Sequence, residues 1–293
     1  MSYTLVLNST NVVSGTSNNT YQYKFILGSL KLKNYEMAIT SFVLPYSWFN
    51  VTNLYNNKTI SFTFPTGATT TTLNLTLPEG FYTVADIQNY IYLQCIAAGL
   101  YLIDSSGNYV LYANIYSNST YYANTINLSV VPSTLPVGWS YALSGTYSAA
   151  GGLPTVAATP SCSFAATGSL NILLGFNAGQ TLASAGASYS TNSPNTPLGS
   201  NVNSVIVRCS IINNPVIVPS DVLDAISVNG ATFGANINYN PSFEKFVEVS
   251  DGNYNQLTIT LVDQNLNTLV ARDPNILLTL QFRPKTNKNN KND

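Results

Sequence analysis

The sequence predicts an all-β protein, and three observations carry that expectation. Apolar residues alternate with polar ones in runs near both ends of the chain, a single stretch shows helical spacing, and the middle is rich in Gly, Ala, Ser, Thr and Pro. Period-two alternation is what a strand with one face on a core and the other outward requires.

Near the N-terminus, Tyr21, Tyr23, Phe25 and Leu27 alternate with Gln22, Lys24 and Ile26. Ile60, Phe62 and Phe64 follow with Ser61 and Thr63 between them, and then Leu73, Leu75 and Leu77. Residues 83–98 read as a helix. Thr83 and Asp86 form a capping signal, Val84, Ile87, Ile91, Cys95 and Ala98 trace a stripe, and Gly99 serves as a C-terminal cap. Its polar face carries Asp86, Gln88, Asn89 and Gln94 without Lys or Arg, which fits a packing helix better than a membrane-surface one. From about 132 to 200 the chain reads as long loops, with sparse strands. Alternation returns in Val205, Val207, Cys209 and Ile211, in Leu257, Ile259 and Leu261, and in Ile276, Leu278, Leu280 and Phe282. Asp273-Pro274-Asn275 marks a turn before the last strand. Strands at both ends around a loop-rich middle predict a single jelly-roll β-sandwich with an inserted loop-rich β subdomain and one packing helix. Residues 1–64 and 201–283 form the jelly roll, 65–200 the insertion with helix 83–98 and long outer loops, and 284–293 a flexible basic tail.

Composition narrows function. Charged residues make up 8% of the 293 residues, about a third of the usual ~25%, whereas aromatics reach 12% with 20 Tyr. Asn, Ser, Thr and Tyr must then cover the surface, and they desolvate at contacts more cheaply than Lys or Glu. That favours a chain that assembles with copies of itself. The net charge of -1 disfavours a generally basic nucleic-acid binder. Cys95, Cys162 and Cys209 have no close pair, which indicates buried thiols rather than a disulfide framework or a zinc knuckle. The N-terminus lacks a basic segment followed by a long apolar core, and the expectation is a soluble intracellular product.

With no histidine, the commonest general base and zinc ligand is missing. Gly-x-Ser-x-Gly, phosphate-binding glycine loops and His-Glu-x-x-His are absent too. Of the carboxylates, Asp221/Asp224 and Glu244/Glu248/Asp251 cluster locally. Asp221, after Pro219-Ser220, reads as the cap of a short helix, and Asp251-Gly252-Asn253 lacks the spaced carboxylates of a calcium loop. The reading is non-enzymatic, with no cofactor or metal.

The passages Tyr35-Glu36-Met37-Ala38-Ile39-Thr40-Ser41-Phe42-Val43-Leu44-Pro45-Tyr46-Ser47-Trp48-Phe49-Asn50, Pro78-Glu79-Gly80-Phe81-Tyr82-Thr83, Leu173-Leu174-Gly175-Phe176, Val205-Ile206-Val207-Arg208-Cys209, and Leu261-Val262-Asp263-Gln264-Asn265-Leu266 with Asp273-Pro274-Asn275 occur in this order along the chain. Together they resemble the penton, or minor capsid, proteins of virophages of the Sputnik kind and related polinton-like viruses. The resemblance implies a jelly roll forming homopentamers at the five-fold vertices of an icosahedral virion, beside a double jelly-roll major capsid protein, made in the cytoplasm of an infected host cell. Tyr46, Trp48 and Phe49 are the candidates for packing or subunit contact. Arg283, Lys285, Lys288 and Lys291 are the candidates for a weak inward tether to packaged DNA or an internal anionic membrane. A jelly-roll glycan-binding or attachment module is the alternative.

Overall fold

The computed structural model describes residues 2–183, 186–228 and 230–285. The chain divides into two compact units, Met1–Trp48 with Val202–Asp293, and Phe49–Asn201.

The first unit contains eight principal strands: β1 Tyr3–Asn8, β2 Thr20–Lys24, β3 Tyr35–Pro45, β4 Ser204–Cys209, β5 Val222–Ser227, β6 Asn236–Tyr239, β7 Gln256–Asp263 and β8 Leu277–Pro284. They form two antiparallel sheets in the orders β1-β8-β3-β6 and β5-β4-β7-β2. Every connection except β4 to β5 passes from one sheet to the other, and this strand order is that of a jelly roll. The first and last strands pair, with Tyr3 opposite Phe282 and Leu7 opposite Leu278.

The core follows from alternation. Strand β4 buries Val205, Val207 and Cys209, β7 buries Leu257, Ile259 and Leu261, and β8 buries Leu278, Leu280 and Phe282. Strand β3 changes phase halfway, burying Met37 and Ile39 and then Phe42 and Leu44. The pairing shifts there, since Thr279 lies opposite Ser41 but Leu280 lies opposite Ile39, which leaves Thr40 as a bulge. The extra residue returns the apolar set to the core face on both sides of the bend.

The run Tyr21 to Leu27 departs from expectation. Tyr21 is buried, but the strand ends at Lys24; the chain turns, with Gly28 N–H donating to Phe25 C=O at 3.0 Å, and Leu27 stands in solvent. Alternation in sequence outlasts the strand because the turn at Gly28, φ +80°, removes the pairing that would orient the later residues.

In the second unit, strand Asn57–Thr66 pairs with Thr69–Thr76 and with Ser161–Ser163. Residues 49–64, expected with the jelly roll, therefore belong here. A second sheet joins Ala113–Asn118, Ala123–Leu128 and Tyr189–Asn192, and a third joins Tyr101–Ile103, Tyr109–Leu111 and Ser140–Tyr141. The helix, α1 Val84–Ala97, begins as read: Asp86 N–H donates to Thr83 Oγ1 at 3.2 Å and Thr83 N–H donates to Asp86 Oδ2 at 2.9 Å. Ile87, Ile91 and Cys95 are buried, and Val84 and Ala98 pack against the same cluster.

The described residues of 132–200 are loops with short strands, as read, but part of this stretch is core. Tyr147, Leu153, Phe164, Leu173, Leu174 and Phe176 all lie in the core of this unit. Small residues allow this by close backbone approach rather than by periodicity. A Cβ on Gly99 would stand 2.0 Å from Ser144 O, and one on Gly145 would stand 2.5 Å from Ala98 O. Both glycines have positive φ. The contact is closed by Thr146 N–H to Ala98 C=O at 3.0 Å and Tyr147 N–H to Gly99 C=O at 2.8 Å. Tyr147 is fully buried, and its hydroxyl donates to Pro65 C=O at 2.9 Å.

Candidate assembly surface

The aromatic group after β3 is held inside the first unit. Backbone bonds from Tyr46 N–H to Ala235 C=O and from Gly234 N–H to Tyr46 C=O, each 2.9 Å, fix the segment. Ser47 Oγ accepts Arg272 N–H at 3.1 Å and Asp273 N–H at 3.0 Å. The Tyr46 and Trp48 rings lie 4.5 Å apart, and Phe233 meets Tyr46 edge-on at 6.0 Å. Tyr46 and Trp48 are buried, and the Trp48 Nε1 has no hydrogen-bond partner among the described residues. Phe49, half-buried, opens the second unit.

The start of the basic segment is tied down. Arg283 Nε donates to Glu36 Oε1 at 2.5 Å, and its guanidinium carbon stands 3.4 Å from the centroid of the Phe246 ring. Lys285 pairs with Glu248 at 2.6 Å, and its N–H donates to Asn34 C=O at 2.9 Å. Pro284, read as the start of the tail, is the last residue of β8. Lys288 and Lys291 lie outside the described residues.

The local carboxylate clusters are engaged one residue at a time. No helix starts at Asp221, because β5 begins at Val222; the carboxylate instead takes two bonds from Arg208, at 2.9 and 2.8 Å. Asp224 accepts the Tyr239 hydroxyl at 2.5 Å and Lys245 Nζ at 3.1 Å. The hydrogen bond and charge of Asp224 raise the Lys245 pKa, while desolvation and then Asp224 raise that of Tyr239. Asp251 accepts Asn34 N–H at 2.7 Å, and the following Gly252–Tyr254 strand pairs with Leu30–Leu32. Among the described residues no group of three His, Cys, Asp or Glu is placed to hold a metal ion. Burial pushes the thiols of Cys95 and Cys209 up to about 12 and raises that of Cys162 as well.

The sequence reading missed a group of strongly exposed apolar side chains at one end of the jelly roll. Tyr3, Phe282, Met37 and Val247 align across one sheet, and Lys24, Gln256, Ile259, Cys209 and Val222 mark the same end of the other. From this end project the β2–β3 loop, the β4–β5 loop and the segment preceding β7. They are knit together: Leu30–Leu32 pairs with Gly252–Tyr254, Asn213 N–H donates to Glu248 C=O at 3.0 Å, and Ser250 N–H donates to Ile211 C=O at 2.9 Å. Ile26 and Leu27 are 89% and 94% exposed on the first loop, and Val216 and Val218 are 86% and 94% exposed on the second. The available signal was the bracketing of Val216-Ile217-Val218 by Pro215 and Pro219, which denies an apolar triplet the ladder bonds of a strand. In the second unit, Tyr121 and Tyr122 are exposed between strands Ala113–Asn118 and Ala123–Leu128.

No protein-family model and no curated protein matches the chain. Among solved structures, the chain is similar to that of selenomethionine-labelled mavirus penton protein, with a TM-score of 0.49 and 10% identity over 97% of this chain and 98% of that one. A likeness of that degree bears no weight on function, and the jelly-roll assignment stands on strand order.

Proposed function

We propose that the protein is a structural capsid protein, a penton that forms homopentamers at the five-fold vertices of an icosahedral virion beside a double jelly-roll major capsid protein. The observation that carries the reading is the complete eight-strand jelly roll interrupted between β3 and β4 by a second unit with its own core. Motif order along the chain supports it, as does a surface low in charge. Strand Thr69–Thr76 shows how that surface is built: Thr72 bonds Thr63 at 3.1 Å and Asn74 bonds Ser61 at 2.8 Å, side chain to side chain. Uncharged hydroxyls and amides suit the repeated heterologous contact of a ring. Lys288 and Lys291 remain the candidates for the inward tether, since Arg283 and Lys285 are already paired with carboxylates.

Light scattering and electron microscopy of the purified full chain test the reading, with a five-fold ring as the expected result. A strictly monomeric protein at high concentration, absent from purified particles, overturns it. Tyr121 and Tyr122, exposed together, favour one second reading, glycan attachment, which a glycan array distinguishes.

A further inference from the structure

We propose that the end of the jelly roll bearing the β2–β3 and β4–β5 loops docks onto an anionic lipid bilayer. Ile26, Leu27, Val216 and Val218 stand almost free of the protein surface. Single protruding apolar side chains need no complementary pocket when the receiving phase is a fluid interface, which takes them up by apolar burial. Charge at the same end has a small positive excess, seven cations against six carboxylates among the described residues, and its unpaired cations lie on the loop that carries Ile26 and Leu27. Among the described residues of the first unit, every Lys and Arg other than Arg272 lies on or beside these loops. Arg208, Lys245, Arg283 and Lys285 are paired with Asp221, Asp224, Glu36 and Glu248. Lys24, Lys31 and Lys33 are exposed, have no ion pair among the described residues, and lie within two to six residues of the Ile26-Leu27 pair. The remaining acids here are Glu244, which is exposed, and Asp251, which accepts Asn34 N–H. Apolar tips and unpaired lysines on the same loop are the two components that interfacial binding to anionic lipid requires. The inference is independent of the penton reading, because it concerns one copy of the chain.

The test is co-sedimentation of the full chain with vesicles of phosphatidylcholine alone or mixed with phosphatidylserine. Binding is expected to the mixed vesicles and to fall as salt rises from about 0.1 to about 1 M. Each lysine near an anionic surface is worth roughly a fivefold change in partition, so joint Lys24→Gln, Lys31→Gln and Lys33→Gln substitution should weaken binding on the order of a hundredfold. Joint Ile26→Ser, Leu27→Ser, Val216→Ser and Val218→Ser substitution should abolish it with the melting temperature retained, since these side chains contribute little to the core. Equal pelleting with and without phosphatidylserine overturns the proposal. So does binding that survives the serine changes but disappears when residues 286–293 are removed, which assigns it to the tail alone. Serine changes that dissociate an oligomer in the absence of vesicles also overturn it, because the loop tips then serve a protein contact.

Discussion

Replacing Gly145 with Ala should unfold the second unit far more readily than the loss of one glycine implies. Its backbone has φ +86°, where a Cβ costs about 1–2 kcal/mol. That Cβ would also stand 2.5 Å from Ala98 O and 2.8 Å from Gly99 Cα, and both are backbone atoms that no rotamer change can move. Relief requires the loop to separate from the C-terminus of α1. The separation weakens the bonds from Thr146 N–H to Ala98 C=O and from Tyr147 N–H to Gly99 C=O, at about 0.5–1.5 kcal/mol each. Together these give roughly 2–5 kcal/mol, or about 4–20 °C in melting temperature for a unit of this size. Two other glycines separate the causes. Gly107 has φ +82° with nothing within 4 Å, so Gly107→Ala should show the backbone cost alone, about 1–2 kcal/mol. Gly151 has neither constraint and should be near neutral on replacement. The chain has two tryptophans, and Trp139 packs on the second unit's core, so Trp139 fluorescence in a Trp48→Phe background reads that unit. If Gly145→Ala costs no more than Gly107→Ala, the close-packing account is wrong.

Three further outcomes follow from the geometry. Hydrogen bonds from Thr83 hold the Asp86 carboxyl below the usual carboxylate range, so its capping contribution is present above the unfolded value near 3.9 and is lost as pH falls through the lower folded one; Asp86→Ala should cost at most about 1 kcal/mol near neutral pH, with the difference closing in acid, as thermal melts across pH will check. Cys95, Cys162 and Cys209 should resist a thiol reagent in the native protein and all react in denaturant, and prompt labelling of any one would contradict its burial. Residues 49–201 expressed alone should fold with native near-ultraviolet dichroism, and Asn50→Ala, which removes three part-buried bonds to Tyr82 and Gly199, should lower its stability by about 2–4 kcal/mol in urea melts.

What could be read in advance was local. Val205 to Cys209, Leu257 to Leu261 and Ile276 to Phe282 announce their buried faces because a strand with one wet face imposes period two. The Thr83–Asp86 cap and the Asp273 turn, where Asn275 N–H donates to Asp273 Oδ1 at 2.9 Å, are equally short-range. What failed depends on partners distant in sequence. Thr40 becomes a bulge only because β8 lies opposite, and Leu27 is exposed because pairing with β7 stops at Lys24. The core around Tyr147 was illegible for another reason. It is built by backbone approaching backbone at Gly99 and Gly145, and neither leaves an apolar period. Of the candidate contact residues, Tyr46 and Trp48 announce only that they are aromatic; whether they face inward is decided by bonds to Ala235 and Gly234, almost two hundred residues away.

The second unit can interrupt the jelly roll because no ladder of the first unit depends on it. Every strand pairing of β1 to β8 joins residues in 1–48 to residues after 201, or residues within the latter segment. Within the second unit, Asn50 holds the two chain ends together: its Nδ2 donates to Tyr82 C=O at 2.8 Å and Gly199 C=O at 2.9 Å, and its own carbonyl accepts Asn57 Nδ2 at 2.7 Å and Asn201 Nδ2 at 3.0 Å. With entry and exit stitched side by side, the inserted unit closes the long β3–β4 connection much as a short loop would, and lengthening a loop costs little entropy once its ends are fixed. The jelly roll still must bring Tyr3 opposite Phe282, across nearly the whole chain, so its own assembly is dominated by distant contacts. Such topologies fold slowly. A second unit that had already closed would shorten that search, because it would bring Trp48 and Val202 to the ends of one compact module before β3 and β8 have to find each other.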